Sequence, residues 1–476
     1  MRPHFIVRSR APLSAILLLI ALNFSPAARA AETIKIRIDA ATVISTIPSD
    51  FVGFGYETSA AAQPDFFSAK NPTMIRLYRN LGATGLIRIG GNVSDHTQYV
   101  ADGTPAVKTE REITTINRQN LLDLGEFARA TGWKVMWGLN LGTGTKEQAV
   151  EEAVAVEQAL GDRLHSLQVG NEVDLMQPYR NNYDAYHAAY RDFKAAIRKR
   201  LPQAVFSGPD SASNVSFVEK FVTEEAGDMS TATYHYYRSG ARNRNATMEF
   251  LLQRDDAFNQ RLDRIREACA PRHIPYRINE VNSFSGGGKA GVSDTFGEAL
   301  WALDYMFNLA AHGCSGINLE TDINQLGFIS HYSPIVHDGA GKCSARPEYY
   351  AMLAFAMAGR GQLLKTQIDA PKTNLAAYST RDPHGIIFLA IINKDLAADV
   401  TAECASPSGN GDAELYWLGA PASDAKSGVT FAASTVADDG SWSAGKSENS
   451  RQFSGNVTLT VPHASALIVR FAPAQK

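Results

Sequence analysis

The sequence predicts a (β/α)8 TIM barrel with an all-β sandwich domain appended to it. Three observations carry this expectation. From about residue 51 to 359, short apolar runs alternate with longer segments of helical period, the pattern of a parallel sheet wrapped in helices. Beyond Gly361 the helical period fades and β-rich runs take over. Two of the apolar runs close on an asparagine followed by a glutamate, Asn171-Glu172 and Asn279-Glu280, where a barrel gathers its functional side chains.

Taken in order, the chain opens with Arg2, Arg8 and Arg10, an apolar core at 15–22, and small residues around Ala28-Arg29-Ala30. Residues 1–30 read as a secretory signal peptide, so the expected location is secreted or periplasmic. The apolar core is well short of the ~20 residues that span a bilayer. Ile34-Lys35-Ile36-Arg37-Ile38 then alternates like a half-buried antiparallel strand that the barrel does not need. It is expected in the sandwich, which takes residues 31–45 and 362–476, with the barrel at 46–361. The eight barrel strands are predicted at 51–56, 85–89, 134–139, 164–169, 204–207, 231–236, 276–279 and 316–320. Helical stretches at 120–130, 146–160, 183–200 and 296–312 lie between them, and sandwich strands at 386–392, 414–418, 457–461 and 466–471 follow. Ser/Gly/Asp-rich stretches at 406–412 and 438–447 read as turns.

With 476 residues, 45% hydrophobic and 20% charged, the chain is globular and long enough for one large domain and a smaller one. Loss of residues 1–30 removes Arg2, Arg8, Arg10 and Arg29 and takes the formal charge from −3 to −7. An acidic chain without a Lys/Arg block does not point to nucleic acid or to a long sulfated polymer. Cys269, Cys314, Cys343 and Cys404 are widely spaced, with no Cys-x-x-Cys pair, so neither a zinc site nor a disulfide framework is indicated, and their pairing stays open.

On this strand count Glu172 follows the fourth strand and Glu280 the seventh. Cleavage of a glycosidic bond needs one carboxylic acid to protonate the leaving oxygen and one carboxylate to attack the anomeric carbon or activate water. A carboxyl separation of about 5 to 5.5 Å leaves no room for that water and implies a covalent intermediate and retention. Glu172 is assigned as acid/base and Glu280 as nucleophile. Asn171 is expected to meet the sugar 2-hydroxyl, and Tyr236, from Tyr234-His235-Tyr236-Tyr237 on the sixth strand, to donate to Glu280 and keep it ionised. His235 is read as a packing or orienting residue, because no His-x-His or His-Glu-x-x-His spacing occurs; no metal and no cofactor are called for. No Gly-x-Ser-x-Gly elbow occurs, and Gly53-Phe54-Gly55 and Gly142-Thr143-Gly144 lack the third glycine of a dinucleotide loop. Beyond Glu280, Ser285-Gly286-Gly287-Gly288-Lys289 offers successive backbone N–H groups to an anion such as a uronic acid carboxylate.

Several segments together resemble glycoside hydrolase family 79, the heparanase and β-glucuronidase family of the retaining barrel clan A. They are Arg88-Ile89-Gly90-Gly91-Asn92 with Asp95, Gly138-Leu139-Asn140-Leu141, Gly170-Asn171-Glu172, Gly208-Pro209-Asp210, His235-Tyr236-Tyr237, and Glu280 with Gly286-Gly287-Gly288. The resemblance spans most of the barrel. It implies Glu172 as acid/base, Glu280 as nucleophile, Asn171 and Tyr236 as their partners, and Gly286 and Gly287 as backbone donors to the uronate. It adds Glu57 as an acidic sugar-binding residue, with Asn92 and, from the loop after the eighth strand, Tyr332 as substrate contacts. Heparanase-like members carry a tyrosine before the three glycines where this chain has Ser285, with Phe284 beside it. The family's Asn-Glu-Pro or similar becomes Asn171-Glu172-Val173-Asp174 here. The expected activity is a retaining β-glucuronidase acting on a glucuronide-containing oligosaccharide or glycoconjugate. An endo-acting heparanase-like enzyme, a barrel glycosidase for a xyloside, glucoside or arabinofuranoside, and a non-catalytic carbohydrate-binding protein remain alternatives.

Overall fold

The structure is a computed structural model that describes residues 32–101, 114–337, 342–369, 372–405, 407, 411–445, 451–453 and 455–471. The signal peptide expected at 1–30 lies outside the described residues, as does part of each expected turn at 406–412 and 438–447. No described helix is long and apolar enough to cross a membrane.

Eight parallel strands, Gly53–Glu57, Leu86–Gly90, Lys134–Leu139, Leu164–Val169, Ser207–Ser211, Thr231–Gly240, Tyr276–Ser285 and Ile317–Glu320, make the barrel. Each pairs with its neighbours in sequence, the eighth pairs with the first, and the ring closes between the fourth and fifth through the bridge Leu167↔Phe206. The third and fourth strands fall where hydrophobic periodicity placed them. The fifth does not: the apolar run at 204–207 serves as its approach, and the strand itself is Ser207–Ser211, with Pro209 and Asp210 inside it. Pro209 has no N–H for a ladder, and the pairing with the sixth strand slips between Gly208 and Ser211 to accommodate it. The sixth and seventh strands run beyond the expected ends, staying paired out to Ser285↔Gly240 above the barrel mouth.

The helices on the outside begin at polar caps written into the sequence. Asn117 and Asn120 form a reciprocal capping box at the start of Arg118–Thr131, and Thr145 with Gln148 does the same for Lys146–Leu160. At the bottom of the barrel Arg277 is buried and donates to Asn318 Oδ1 at 2.6 Å, to the Phe51 carbonyl at 3.0 Å and to the Ile317 carbonyl at 2.8 Å, joining the seventh and eighth strands to the segment entering the first.

Among the described residues the second sheet has ten strands, which share their own apolar core, to which Ile34, Ile36, Leu389, Ile391, Val457 and Leu467 contribute. Its first strand, Glu32–Ile47, lies antiparallel to Gly361–Ile368 on one side and parallel to Val400–Ala405 on the other. The barrel's polypeptide thus leaves the sheet at Ile47 and returns beside it at Gly361, a paired position.

Barrel closure leaves no room at Gly53. A Cβ there would stand 2.5 Å from the Leu86 carbonyl oxygen and 2.6 Å from both the Asn318 amide nitrogen and the Ile317 carbonyl oxygen. Gly53→Ala should therefore lower stability by about 1 to 3 kcal/mol, measured by denaturant unfolding of the full chain.

Candidate active site

The carboxyl ends of the strands bring together a polar cluster whose centre is Arg88 on the second strand. Its side chain is 1% exposed. One Nη donates to Glu280 Oε2 at 2.8 Å, the other to Asn171 Oδ1 at 2.5 Å and to Asp210 Oδ2 at 3.2 Å. Burial opposes the guanidinium's charge, but Glu280 and Asp210 foremost offset it and raise its pKa. Asp210 also accepts from Asn279 Nδ2 at 3.0 Å and from Gln168. Burial works against its ionisation, but the imidazole of His235, 3.8 Å away, and the charge of Arg88 bring its pKa below the usual carboxylate value.

Glu280 is held from two sides. Arg88 takes Oε2, and the hydroxyl of Tyr237 donates to Oε1 at 3.0 Å. Glu172 stands opposite at φ +46°, a left-handed backbone that an L-residue adopts at a cost of about 1 to 3 kcal/mol. A carboxylate oxygen of Glu172 and one of Glu280 lie within 4.8 Å of each other. His235 Nδ1 is between them, 3.4 Å from Glu172 Oε1 and 3.5 Å from Glu280 Oε2. Burial alone would strip its proton, but the Glu280 charge, Asp210 at 3.8 Å from Nε2 and the hydrogen bond to Glu172 raise its pKa to about 10. Glu172, His235 and Glu280 offer ligand atoms at metal-binding distances. With its pKa raised, the imidazole would have to give up a proton to bind a metal there, since only the neutral ring has a lone pair to offer.

The seventh strand explains how both Asn279 and Glu280 face inward. Ile278 pairs with Tyr234 and Glu280 with His235, so two residues of the seventh strand oppose one of the sixth, a bulge that turns consecutive side chains to the same face.

Of the residues expected at the site, Glu172, Glu280 and Asn171 come together as described. Asn171 Nδ2 is buried and has no hydrogen-bond partner among the described residues, leaving a donor on the residue before Glu172. Glu57 is buried, accepts from the Val93 N–H at 2.8 Å, and is pushed up to about 8 by burial and by the neighbouring Glu280. Asn92 is exposed on the helical turn Gly91–Ser94, and no described hydrogen bond ties it to the carboxylates. Gly286, Gly287 and Gly288 all take left-handed φ angles of +80° to +88°. A side chain at Gly287 would collide with Phe328 and Asn324. Tyr332 is buried, with its ring centroid 6.2 Å from that of Tyr237.

Tyr236 is a correction. The strand's pleat sends Tyr236 outward, where it stacks on Phe258 at 3.8 Å and donates to Asp255 Oδ2 at 2.7 Å, and it is Tyr237 that reaches Glu280. Parity along the sixth strand decides between them, and that parity shows only once the strand's register is known. Arg88, Asp210 and Glu320 were also missed. For Arg88 a signal existed, since an arginine in the middle of the apolar run 86–90 must find buried acids. Glu320 ends the eighth strand buried, with Oε2 unpartnered among the described residues, and burial together with Glu280 and Glu57 raises its pKa well above the usual range.

No family model matches the chain. It is 26% identical to a β-glucuronidase of Aspergillus niger over 406 residues, 74% of each chain. It is 24% identical to a β-glucuronidase of Neurospora crassa over 397 residues, 72% of this chain and 69% of that one. In fold it is similar to a 4-O-α-L-rhamnosyl-β-D-glucuronidase from Fusarium oxysporum 12S, with a TM-score of 0.72 at 18% identity over 91% of this chain and 99% of the other. The arabinofuranosidase of glycoside hydrolase family 51 from Xanthomonas axonopodis pv. citri has a TM-score of 0.68 at 14% identity, covering 92% of this chain and all of that one. The chain is a glycoside hydrolase.

In this hydrolase the two neighbouring tyrosines should separate cleanly. Tyr237→Phe leaves one Glu280 oxygen without its donor and is expected to lower kcat by roughly 10- to 100-fold, whereas Tyr236→Phe should change kcat by less than about threefold. Steady-state kinetics on the two variants, side by side, measure this.

Proposed function

We propose that the chain is a retaining β-glucuronidase of the family 79 type that removes terminal β-linked glucuronic acid by double displacement. The observation that carries this is the approach of Glu172 and Glu280 to within 4.8 Å, with a turn of three left-handed glycines following the strand that bears Glu280. That separation suits direct attack rather than an intervening water. The β-glucuronidases of Aspergillus niger and Neurospora crassa, similar over about three quarters of the chain, support the same sugar.

Glu280 is the nucleophile, since Arg88 and Tyr237 fix both of its oxygens, and Glu172, more exposed and with fewer partners, is the acid/base. In the first step a Glu280 oxygen bonds to the anomeric carbon while Glu172 gives its proton to the glycosidic oxygen, and the aglycone leaves as an alcohol. In the second, water attacks the same carbon, Glu172 takes its proton, and the bond to Glu280 breaks, giving back the β-configuration. Asn171 presents its free Nδ2–H to the 2-hydroxyl, and Gly286 and Gly287 direct backbone N–H groups at the uronate. Residues 1–30 direct export, after which the mature chain meets its glucuronide-containing substrate outside the cytoplasm.

A uronate brings one more negative charge to a mouth already crowded with Glu57, Glu280 and Glu320. It is tolerated because Glu57 and Glu320 stay protonated. As pH rises through about 8, Glu57 loses its proton and places a second charge beside Glu280 and the uronate. Hydrolysis of a glucuronide, followed as kcat/KM, should fall across that interval in the native chain and hold level in Glu57→Gln.

The reading as a whole is tested with p-nitrophenyl β-glucuronide, β-glucoside and β-xyloside on protein lacking residues 1–30. Strong preference for the glucuronide is expected, and Glu280→Gln should lower turnover about 10³-fold or more while leaving the fold intact. Preference for a neutral sugar would overturn the uronate clamp, and substantial turnover by Glu280→Gln would overturn the assignment of the nucleophile.

A further inference from the structure

Glu280 is fixed through its carboxyl, and Glu172 is not. Among the described residues the Glu172 carboxyl makes one hydrogen bond, a 3.4 Å contact with His235 Nδ1. Its position therefore depends on the backbone that carries it, and that backbone is left-handed at φ +46°. An L-residue keeps such a conformation only where its surroundings hold it there. The chain itself does not do so. The next residue is Val173, which lacks the ring by which a proline would lock its own φ and restrict Glu172.

The holding contacts lie on either side. Before Glu172, the Asn171 N–H donates to Asp95 Oδ2 at 3.2 Å. After it, the Glu172 carbonyl accepts from the N–H groups of Leu175 at 2.8 Å and Met176 at 3.1 Å, which closes a tight turn. Inside that turn stands Asp174, 1% exposed, and its side chain is spent on the segment that follows the fifth strand. Oδ1 accepts from the Ala212 N–H at 2.8 Å. Oδ2 accepts from the Ser213 N–H and hydroxyl, both at 2.9 Å, and from the Asn214 N–H at 2.7 Å. Four donors thus converge on one buried side chain, and the turn cannot shift without leaving backbone groups unpaired. The far end of this tether is anchored in its turn. Asp210, two residues before Ala212, accepts from Arg88 and Asn279 inside the barrel.

We propose that Asp174 is a positioning residue for the reaction: by tying the turn after the fourth strand to residues 212–214, it holds the acid/base Glu172 where the leaving oxygen is protonated. The inference rests on the assignment of Glu172 as acid/base and is indifferent to which sugar is cleaved. A displaced acid leaves the nucleophile in place, so the defect depends on how much the departing group needs a proton.

The test compares kcat/KM for a 2,4-dinitrophenyl glycoside, whose leaving group departs without protonation, with that for the phenyl glycoside, which needs it. Both carry the sugar that the native chain hydrolyses best. Asp174→Asn keeps the shape of the side chain and one acceptor oxygen. It should lower kcat/KM for the phenyl glycoside about 10- to 100-fold, the scale of loss when a catalytic group moves by about 1 Å, and for the dinitrophenyl glycoside less than about threefold. Ser213→Ala, which removes one of the four donors, should show the same signature at about two- to fivefold, and it decides the matter should Asp174→Asn fail to fold. A purely architectural role would lower both substrates alike. That outcome, or kinetics unchanged in both variants, overturns the proposal. Glu172→Gln, measured beside them, should show the signature more strongly, at roughly 10²- to 10⁴-fold on the phenyl glycoside. If it does and Asp174→Asn does not, the tether alone is wrong; if it does not, the assignment of Glu172 falls and the tether falls with it.

Discussion

The Arg88 guanidinium lies inside the barrel at 1% exposure and donates to groups from three other strands, Asn171 after the fourth, Asp210 on the fifth and Glu280 on the seventh. A charge so deeply buried is destabilising by several kcal/mol unless paired, so this arrangement constrains the whole ring. Any slip of one strand against another would leave the guanidinium facing carbon. The candidate nucleophile, the candidate sugar contact and the central acid are thereby positioned by one side chain that itself does no chemistry.

Around that point the charges alternate. Asp210 is flanked by Arg88 and His235, and His235 is flanked in turn by Asp210, Glu172 and Glu280. With His235 between them and Arg88 on Glu280, the carboxyl groups of Glu172 and Glu280 stand close together. The acids without a cation in direct contact, Glu57 and Glu320, keep their protons.

Much of this was legible in the sequence. Apolar runs located the third and fourth strands, which are buried on both faces, and the 3.6 period located the helices Lys146–Leu160 and Tyr183–Arg200, each to the residue. Glu172 and Glu280 stood out since they interrupt apolar runs at barrel strand ends. What escaped was whatever depended on register. Tyr236 and Tyr237 differ only in parity, and the bulge at Asn279 resets parity on the neighbouring strand, a shift no local pattern records. The fifth strand escaped for another reason. Its buried Ser207-Gly208-Pro209-Asp210-Ser211 is polar and contains a proline, and it is a strand because Arg88, Gln168 and Asn279 wait for Asp210 inside the barrel.

The pairing of Ile47 with Gly361 has a consequence for the order in which the molecule comes into being. The strand Glu32–Ile47 precedes the barrel in the chain, yet both of its neighbours in the sheet follow it, beginning at Gly361 and Val400. The second sheet is therefore unfinished until the entire barrel has been threaded out between its strands. Closing so long a loop adds little entropy cost beyond a shorter one, because that cost grows only logarithmically with length. It delays the event nonetheless, since distant segments must find each other. The barrel, whose strands pair with their sequence neighbours, can assemble while the first strand still lacks a partner, and once formed it brings residues 47 and 361 together and so acts as the template on which the sandwich is completed.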